Sequence, residues 1–199
     1  MAAKQKTDLE VTLARVQLPS LGRTGAHQHV VTIELIYPRL AIASKSAAKT
    51  IVLKNGLCEA DLLPWTRKIC FKESVEGNFG VHVTVSERLS ATQMRKMMRF
   101  IAGKSLDIGA DAVEDAIPMP VVDEIAVQPL IYLSKQLLST TQAKIIAEGF
   151  LDLKAAQFSD TPSLISVPLL SCRKIALNGR QILKENEPDG VVELSAVAI

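Results

Sequence analysis

The chain has 199 residues, 48% hydrophobic but only 4% aromatic, with 23 basic and 21 acidic residues and a formal charge of +2. Such a chain is long and apolar enough to bury an aliphatic core of Val, Ile, Leu and Ala, which excludes disorder over most of its length. Its near-neutral balance excludes a global field that would attract nucleic acid or an anionic membrane, so a charged partner has to be read from local patches.

Cys58, Cys70 and Cys172 are odd in number and form no CxxC, which argues for thiols packed as small hydrophobes in a reducing compartment rather than a disulfide framework. The first residues contain no apolar leader, and no run approaches the roughly eighteen apolar residues needed to span a bilayer. The expected location is therefore cytoplasmic, without a transmembrane segment.

Leu9, Val11 and Leu13 alternate with Asp8, Glu10 and Thr12, a period of two that turns one face of a strand inward. Val16 and Leu18 continue on the other parity, so a β-bulge near Ala14-Arg15 is needed to keep the apolar face buried. A loop at 19–25 leads to Val31, Ile33, Leu35 and Tyr37, the cleanest strand, which Pro38 closes. Asn55-Gly56 between 50–54 and 57–60 predicts a type I′ hairpin, because both central residues tolerate positive φ. Glu76-Gly77-Asn78 suggests a further pairing of the Ile69 and Phe71 run with the Phe79 to Val85 run. Basic Arg67, Lys68 and Lys72 mark a solvated edge or face.

Residues 88–143 follow a different pattern. Ser90-Ala-Thr-Gln93 is a capping-box sequence, with Met94, Met97, Met98 and Ile101 at helical spacing and Gly103 as a C-cap, predicting a helix over about 91–102. Residues 110–117 read as a second helix, and the Leu130, Leu133, Leu137 and Leu138 stripe as a third. Arg88, Arg95, Lys96, Arg99 and Lys104 precede an all-acidic run from Asp107 to Glu124. The simplest account pairs the two helices or leaves both charged faces solvated. The alternative is a basic, Met-rich binding helix.

Strand patterning resumes over 145–154 and 164–170, where Pro168 marks an edge or bulge. Asn178-Gly179 predicts a second tight hairpin. Pro188-Asp189-Gly190 predicts a turn into a final strand, 191–199, that pairs within the sheet because a free apolar edge invites aggregation.

The expected fold is mainly β: one domain over 1–199, with a two-sheet antiparallel sandwich at 8–88 and 144–199 interrupted by two or three helices at about 89–143. The opening Leu9 to Val16 strand, the Val81 to Val85 strand before a long excursion, and Ala147-Glu-Gly-Phe-Leu-Asp-Leu153 resemble a C2-like domain. Calcium-binding members of that family carry several loop aspartates, whereas Leu18 to His29 holds none. The resemblance thus implies a non-catalytic scaffold without calcium-dependent docking. A jelly-roll arrangement is the other sandwich considered.

Candidate chemistry is sparse. Gly103-Lys104-Ser105 ends like a P-loop, but Met98 stands where its first glycine belongs, and a helix precedes it. His27 and His29 share a strand face and, with His82, are the only histidines from which a metal site could be built. No cysteine lies in the local sequence of a nucleophile family, and no GxSxG occurs. Asp111, Glu114 and Asp115 read as a solvated helix face. Trp65 either packs over a loop-strand junction or anchors a partner.

The resulting expectation is a non-catalytic intracellular protein-interaction or assembly module, with no cofactor and no nucleic acid. Its candidate surface is Arg95, Lys96, Arg99 and Trp65. Two rivals are a small metal-dependent enzyme with a histidine-based site and a peripheral lipid-binding domain using the basic helix.

Overall fold

The computed structural model describes residues 6–22, 25–37, 42–60, 63, 68–96, 99, 140–173, 175–177 and 180–199. The alternating runs become strands β1 (Lys6–Gln17), β2 (Ala26–Tyr37), β3 (Ile42–Lys54), β4 (Leu57–Glu59), β5 (Ile69–Glu76), β6 (Asn78–Ser86), β7 (Ile145–Lys154), β8 (Ser163–Ser171), β9 (Ile175–Leu177), β10 (Arg180–Leu183) and β11 (Pro188–Ala198). Helix α1 covers residues 91–96.

The apolar parity of β1 does shift where expected: its ladder with β11 breaks register between Leu13 and Arg15. Ala14 takes up the extra position, so Leu9, Val11, Leu13, Val16 and Leu18 all remain buried. The Asn55-Gly56 hairpin also forms, with φ of 52° and 78° and a Lys54↔Leu57 pair flanking it. Gly56 is required there twice over. Its φ is positive, and a Cβ would lie 2.2 Å from the Leu18 carbonyl oxygen, because Leu18 N donates to Gly56 O at 2.7 Å.

Once the strands pair, the architecture departs from the sandwich. β11 lies between β8 and β1, with Leu194 opposite Ile165 on one side and Leu13 on the other. The antiparallel ring runs β1-β11-β8-β7-β6-β2-β3-β4 and returns to β1 through Arg15↔Glu59 and Val16↔Cys58. This is a closed eight-stranded barrel, not a C2-like or jelly-roll-like sandwich. Closure wins because both edges of the apolar C-terminal strand then find backbone partners, which leaves that strand no exposed edge. Outside the ring, β5 pairs the Lys6–Thr12 half of the β1 edge whose other half is taken by β4.

The helical insertion also needs correction: among the described residues only one short helix stands outside the barrel, α1. Its capping box is as expected, with Ser90 N donating to Gln93 Oε1 at 2.8 Å and Gln93 N to Ser90 Oγ at 3.2 Å. The helices predicted at 110–117 and 129–138 lie outside the described residues. The Gly77 turn does not make a hairpin. β5 lies on β1, whereas β6 is held between β2 and β7, so the two strands leave Gly77 for different parts of the barrel.

Asn178-Gly179 lies outside the described residues, but Arg180↔Leu177 pairs its flanks with a two-residue connection. The final turn comes earlier than predicted, with Asn186 at φ 65°, and Pro188 already pairs Leu170. Asp189 is then buried as a fastener: its carboxylate accepts Ser20 N at 3.1 Å and Ser20 Oγ at 2.6 Å, tying β11 to the Pro19–Leu21 turn.

Pro168 sits where the β7–β8 ladder stops after Ala147↔Ser171 and Glu148↔Leu170. Its carbonyl approaches Gly149 so closely that a Cβ there would lie 2.2 Å away. The interior is filled by one cluster that includes Val31, Ile33, Leu35, Val81, Val83, Val85, Phe71 and Phe79. Charged groups such as Lys72, Glu148 and Asp152 face outward, the reverse of the polarity of an outer-membrane barrel.

Replacing Leu194→Ala removes a side chain buried at the closing strand and should lower the unfolding free energy by about 2–5 kcal/mol. Leu164→Ala, on an outward position of β8, should cost no more than about 0.5 kcal/mol. Urea denaturation of the two variants compares them; equal losses would mean that β11 is not a core strand.

Candidate functional site

Antiparallel order brings remote segments to one end of the barrel: β2 and β7 begin there, while β6 and β8 end there. Backbone bonds knit these segments together. Leu89 N donates to Gln28 O at 3.0 Å, Glu87 N to Lys144 O at 2.7 Å and Cys172 N to Ile146 O at 2.9 Å. Arg88, Lys144 and Arg173 therefore gather around His27 and His29, although 85 positions separate Arg88 from Arg173 in the sequence.

α1 starts from the same end, so Arg95, Lys96 and Arg99 extend this basic rim; all three are exposed. Arg95 Nε also reaches the Ala91 carbonyl at 3.5 Å. Arg88 and Lys144 are exposed, and Arg173 is half-buried. Two exposed apolar side chains border the rim: Val52, paired with Gln28, and Leu170, paired with Glu148. Carboxylates are interspersed. Glu87 Oε1 accepts Lys144 N at 3.2 Å, and Glu187 Oε2 accepts Lys184 N at 2.8 Å.

His29 is buried beneath the rim, its Nδ1 2.9 Å from the Ser86 carbonyl, a geometry that makes Nδ1–H the donor. Burial lowers its pKa from the ordinary 6.5, opposed by the Ser86 bond and reinforced by repulsion from His27, Arg173 and Arg88.

The histidines do not converge. His82 Nδ1 lies 2.8 Å from Glu34 Oε2, on the other parity of β2 and five positions beyond His29. Its Nε2 is 3.7 Å from Glu148 Oε2. Among the described residues no three His, Cys, Asp or Glu side chains are grouped to hold a metal ion.

The His82 row instead belongs to the outer face of β2, where Glu34 is 0% exposed and Thr32 and Thr84 share a 2.5 Å hydroxyl bond. Ser46 pairs Glu34 from the opposite side to His82. The serine and histidine are thus two strand spacings apart, roughly 10 Å, too far for a nucleophile and its base.

The cysteines are free and poor nucleophiles. Burial pushes Cys70 up to about 12 against the opposing Lys49 ammonium, and pushes Cys172 up to about 11 with help from Glu148 and Glu185. Burial also raises Cys58. Trp65, the Gly103-Lys104-Ser105 string and the Asp111, Glu114, Asp115 cluster lie outside the described residues.

Sequence reading identified Arg95, Lys96 and Arg99 but not Lys144 or Arg173 as site residues. Each of these two flanks a strand end, and only the ring order makes them neighbours.

Two solution tests follow. In the folded native state, Cys70 and Cys172 should react with iodoacetamide at neutral pH far more slowly than they do in urea, because the thiolate is the reactive form; equal rates would contradict their raised pKa values. Folded His29 takes up a proton less readily than unfolded His29, so its contribution is full above pH 6.5 and is lost as pH falls below that value. Wild-type Tm should fall between about pH 7.5 and about pH 5, and His29→Gln should reduce that fall; an unchanged slope would rule out His29 as its source.

No protein-family model matches the chain and no curated protein matches it significantly, so its function has to be argued from this geometry.

Proposed function

We propose that the protein is a non-catalytic interaction or assembly module that meets a protein partner with the basic end of its barrel. The observation carrying this reading is the gathering of Arg88, Arg95, Lys96, Arg99, Lys144 and Arg173 at one barrel end, with exposed Val52 and Leu170 near that end on opposite walls of the ring.

Cations alone give solubility and steering, while apolar side chains alone give adhesion. A cationic barrel end with an exposed apolar side chain on either side of it supports a protein contact, in which arginine forks orient and apolar contacts hold. Arg88, Lys144 and Arg173 sit at strand ends, so that part of the rim is largely preformed and little ordering entropy opposes binding there.

Affinity capture from the native cell tests the reading, with the wild-type chain compared against Val52→Asp/Leu170→Asp. Both positions are exposed, so the variant should keep its Tm, yet lose a partner held stoichiometrically by the wild type. Retention of the same partner by the variant, or no stoichiometric partner and no self-association in sedimentation, would overturn the proposal.

A further inference from the structure

Within the basic end of the barrel, four groups come from one stretch of wall. His27 and His29 share the inward parity of β2, opposite Leu53 and Ile51. Arg88 follows β6 and Arg173 follows β8, and β8, β7, β6 and β2 are consecutive in the ring, so the four residues lie on one continuous arc. Both guanidiniums and the His27 ring are close enough to His29 to oppose its protonation. We infer that this arc is a binding site for a small tetrahedral oxyanion of the phosphate class. The site does not depend on Val52, Leu170 or a protein partner.

The observation that carries it is Arg173 Nε, a buried guanidinium nitrogen with no hydrogen-bond partner among the described residues. A charged donor held out of water without an acceptor is costly, so this one calls for an acceptor from outside the chain. His29 adds a second polar atom. Its Nδ1 is spent on the Ser86 carbonyl at 2.9 Å, which leaves Nε2 for another partner. Arg88 is exposed and supplies a planar fork. The carboxylates of this end are engaged elsewhere: Glu87 Oε1 accepts Lys144 N, Glu187 Oε2 accepts Lys184 N, and Glu148 and Glu185 act on Cys172. Among the described residues none of them forms an ion pair with Arg88 or Arg173.

The donors select the occupant. Two guanidiniums beside the histidines repel a metal cation. His29 is 2% exposed and Arg173 is half-buried, too deep for the face of a folded partner but open to a small ion. Donors arriving from the ends of three strands suit the several oxygens of a tetrahedral anion better than the two coplanar oxygens of a carboxylate.

The test titrates the full chain with sodium phosphate by calorimetry at constant ionic strength, with sodium chloride as the reference. Saturable binding should appear with a Kd of about 1 mM or tighter. Arg88→Gln removes an exposed guanidinium, should keep the fold by circular dichroism, and should weaken binding about tenfold; Arg88→Gln/Arg173→Gln should abolish it. Lys6→Gln/Lys154→Gln, at the opposite end of the barrel, should leave binding unchanged. In an NMR titration phosphate should move the His29 midpoint to higher pH, because the anion offsets the repulsion from His27, Arg173 and Arg88. Phosphoserine separates two sources of the anion: its binding assigns the site to a phosphomonoester end, and binding of inorganic phosphate alone assigns it to the free ion. No saturable binding of either compound, undiminished binding by the double arginine variant, equal weakening by Lys6→Gln/Lys154→Gln, or an unmoved His29 midpoint would overturn the inference.

Discussion

The pairing of β11 with both β1 and β8 is the constraint on which the rest of the structure depends. A strand of composition Val191-Val-Glu-Leu-Ser-Ala-Val197 that exposed either edge would offer a row of backbone donors and acceptors to any other chain. Flanked on both sides, it satisfies those groups internally and turns an open meander into a ring. The bulge at Ala14 belongs to the same solution. It lets β1 follow the curvature of the wall while keeping Leu9, Leu13 and Val16 inside.

Closure also explains where polar groups are placed. Inside the ring, aliphatic residues from alternate positions leave little room for chemistry, and the thiols of Cys58 and Cys70 serve there as small apolar groups. The outer face of β2 is buried as well, so its polar side chains have to satisfy one another: Glu34 with His82, Thr32 with Thr84, and Val30 N with Ser86 Oγ at 2.8 Å. These contacts all run to β6 and give the wall a hydrogen-bonded layer between β2 and β6. Functional variety is then displaced to the barrel ends, where strands stop and side chains are free to face a partner. At the end that receives α1, the rim cations collect.

Features that depend on a few consecutive residues were legible in the chain. The Ser90–Gln93 box, the Asn55-Gly56 turn, the break in β1 parity and the internal pairing of the last strand all follow from local backbone preferences and from the need to bury one face of a strand. Features that depend on a choice of partner were not. Gly77 bears the marks of a hairpin turn, since its φ is 64° and alternating strands flank it, yet β5 and β6 leave it for different neighbours. Turn chemistry specifies that the chain reverses. It does not specify that the two arms stay together, because cross-strand packing on β1 and on β2 competes with the local pairing. The same ambiguity separates a sandwich from a barrel, since eight alternating strands suit both.

The candidate site divides along the same line. Composition and periodicity by themselves determined a β-rich aliphatic protein with a capped basic helix, because those properties reside in nearest-neighbour and i+2 or i+3 relations. They placed Arg95, Lys96 and Arg99 on a surface before any fold was known. Only the tertiary structure decided that Lys144 and Arg173 join them and Arg88, that His29 lies beneath, and that His82 is committed to Glu34 instead. The physical reason is ring order: antiparallel strands bring the two ends of distant segments to one rim, and which segments meet is fixed by closure, a property of the whole chain rather than of any stretch of it.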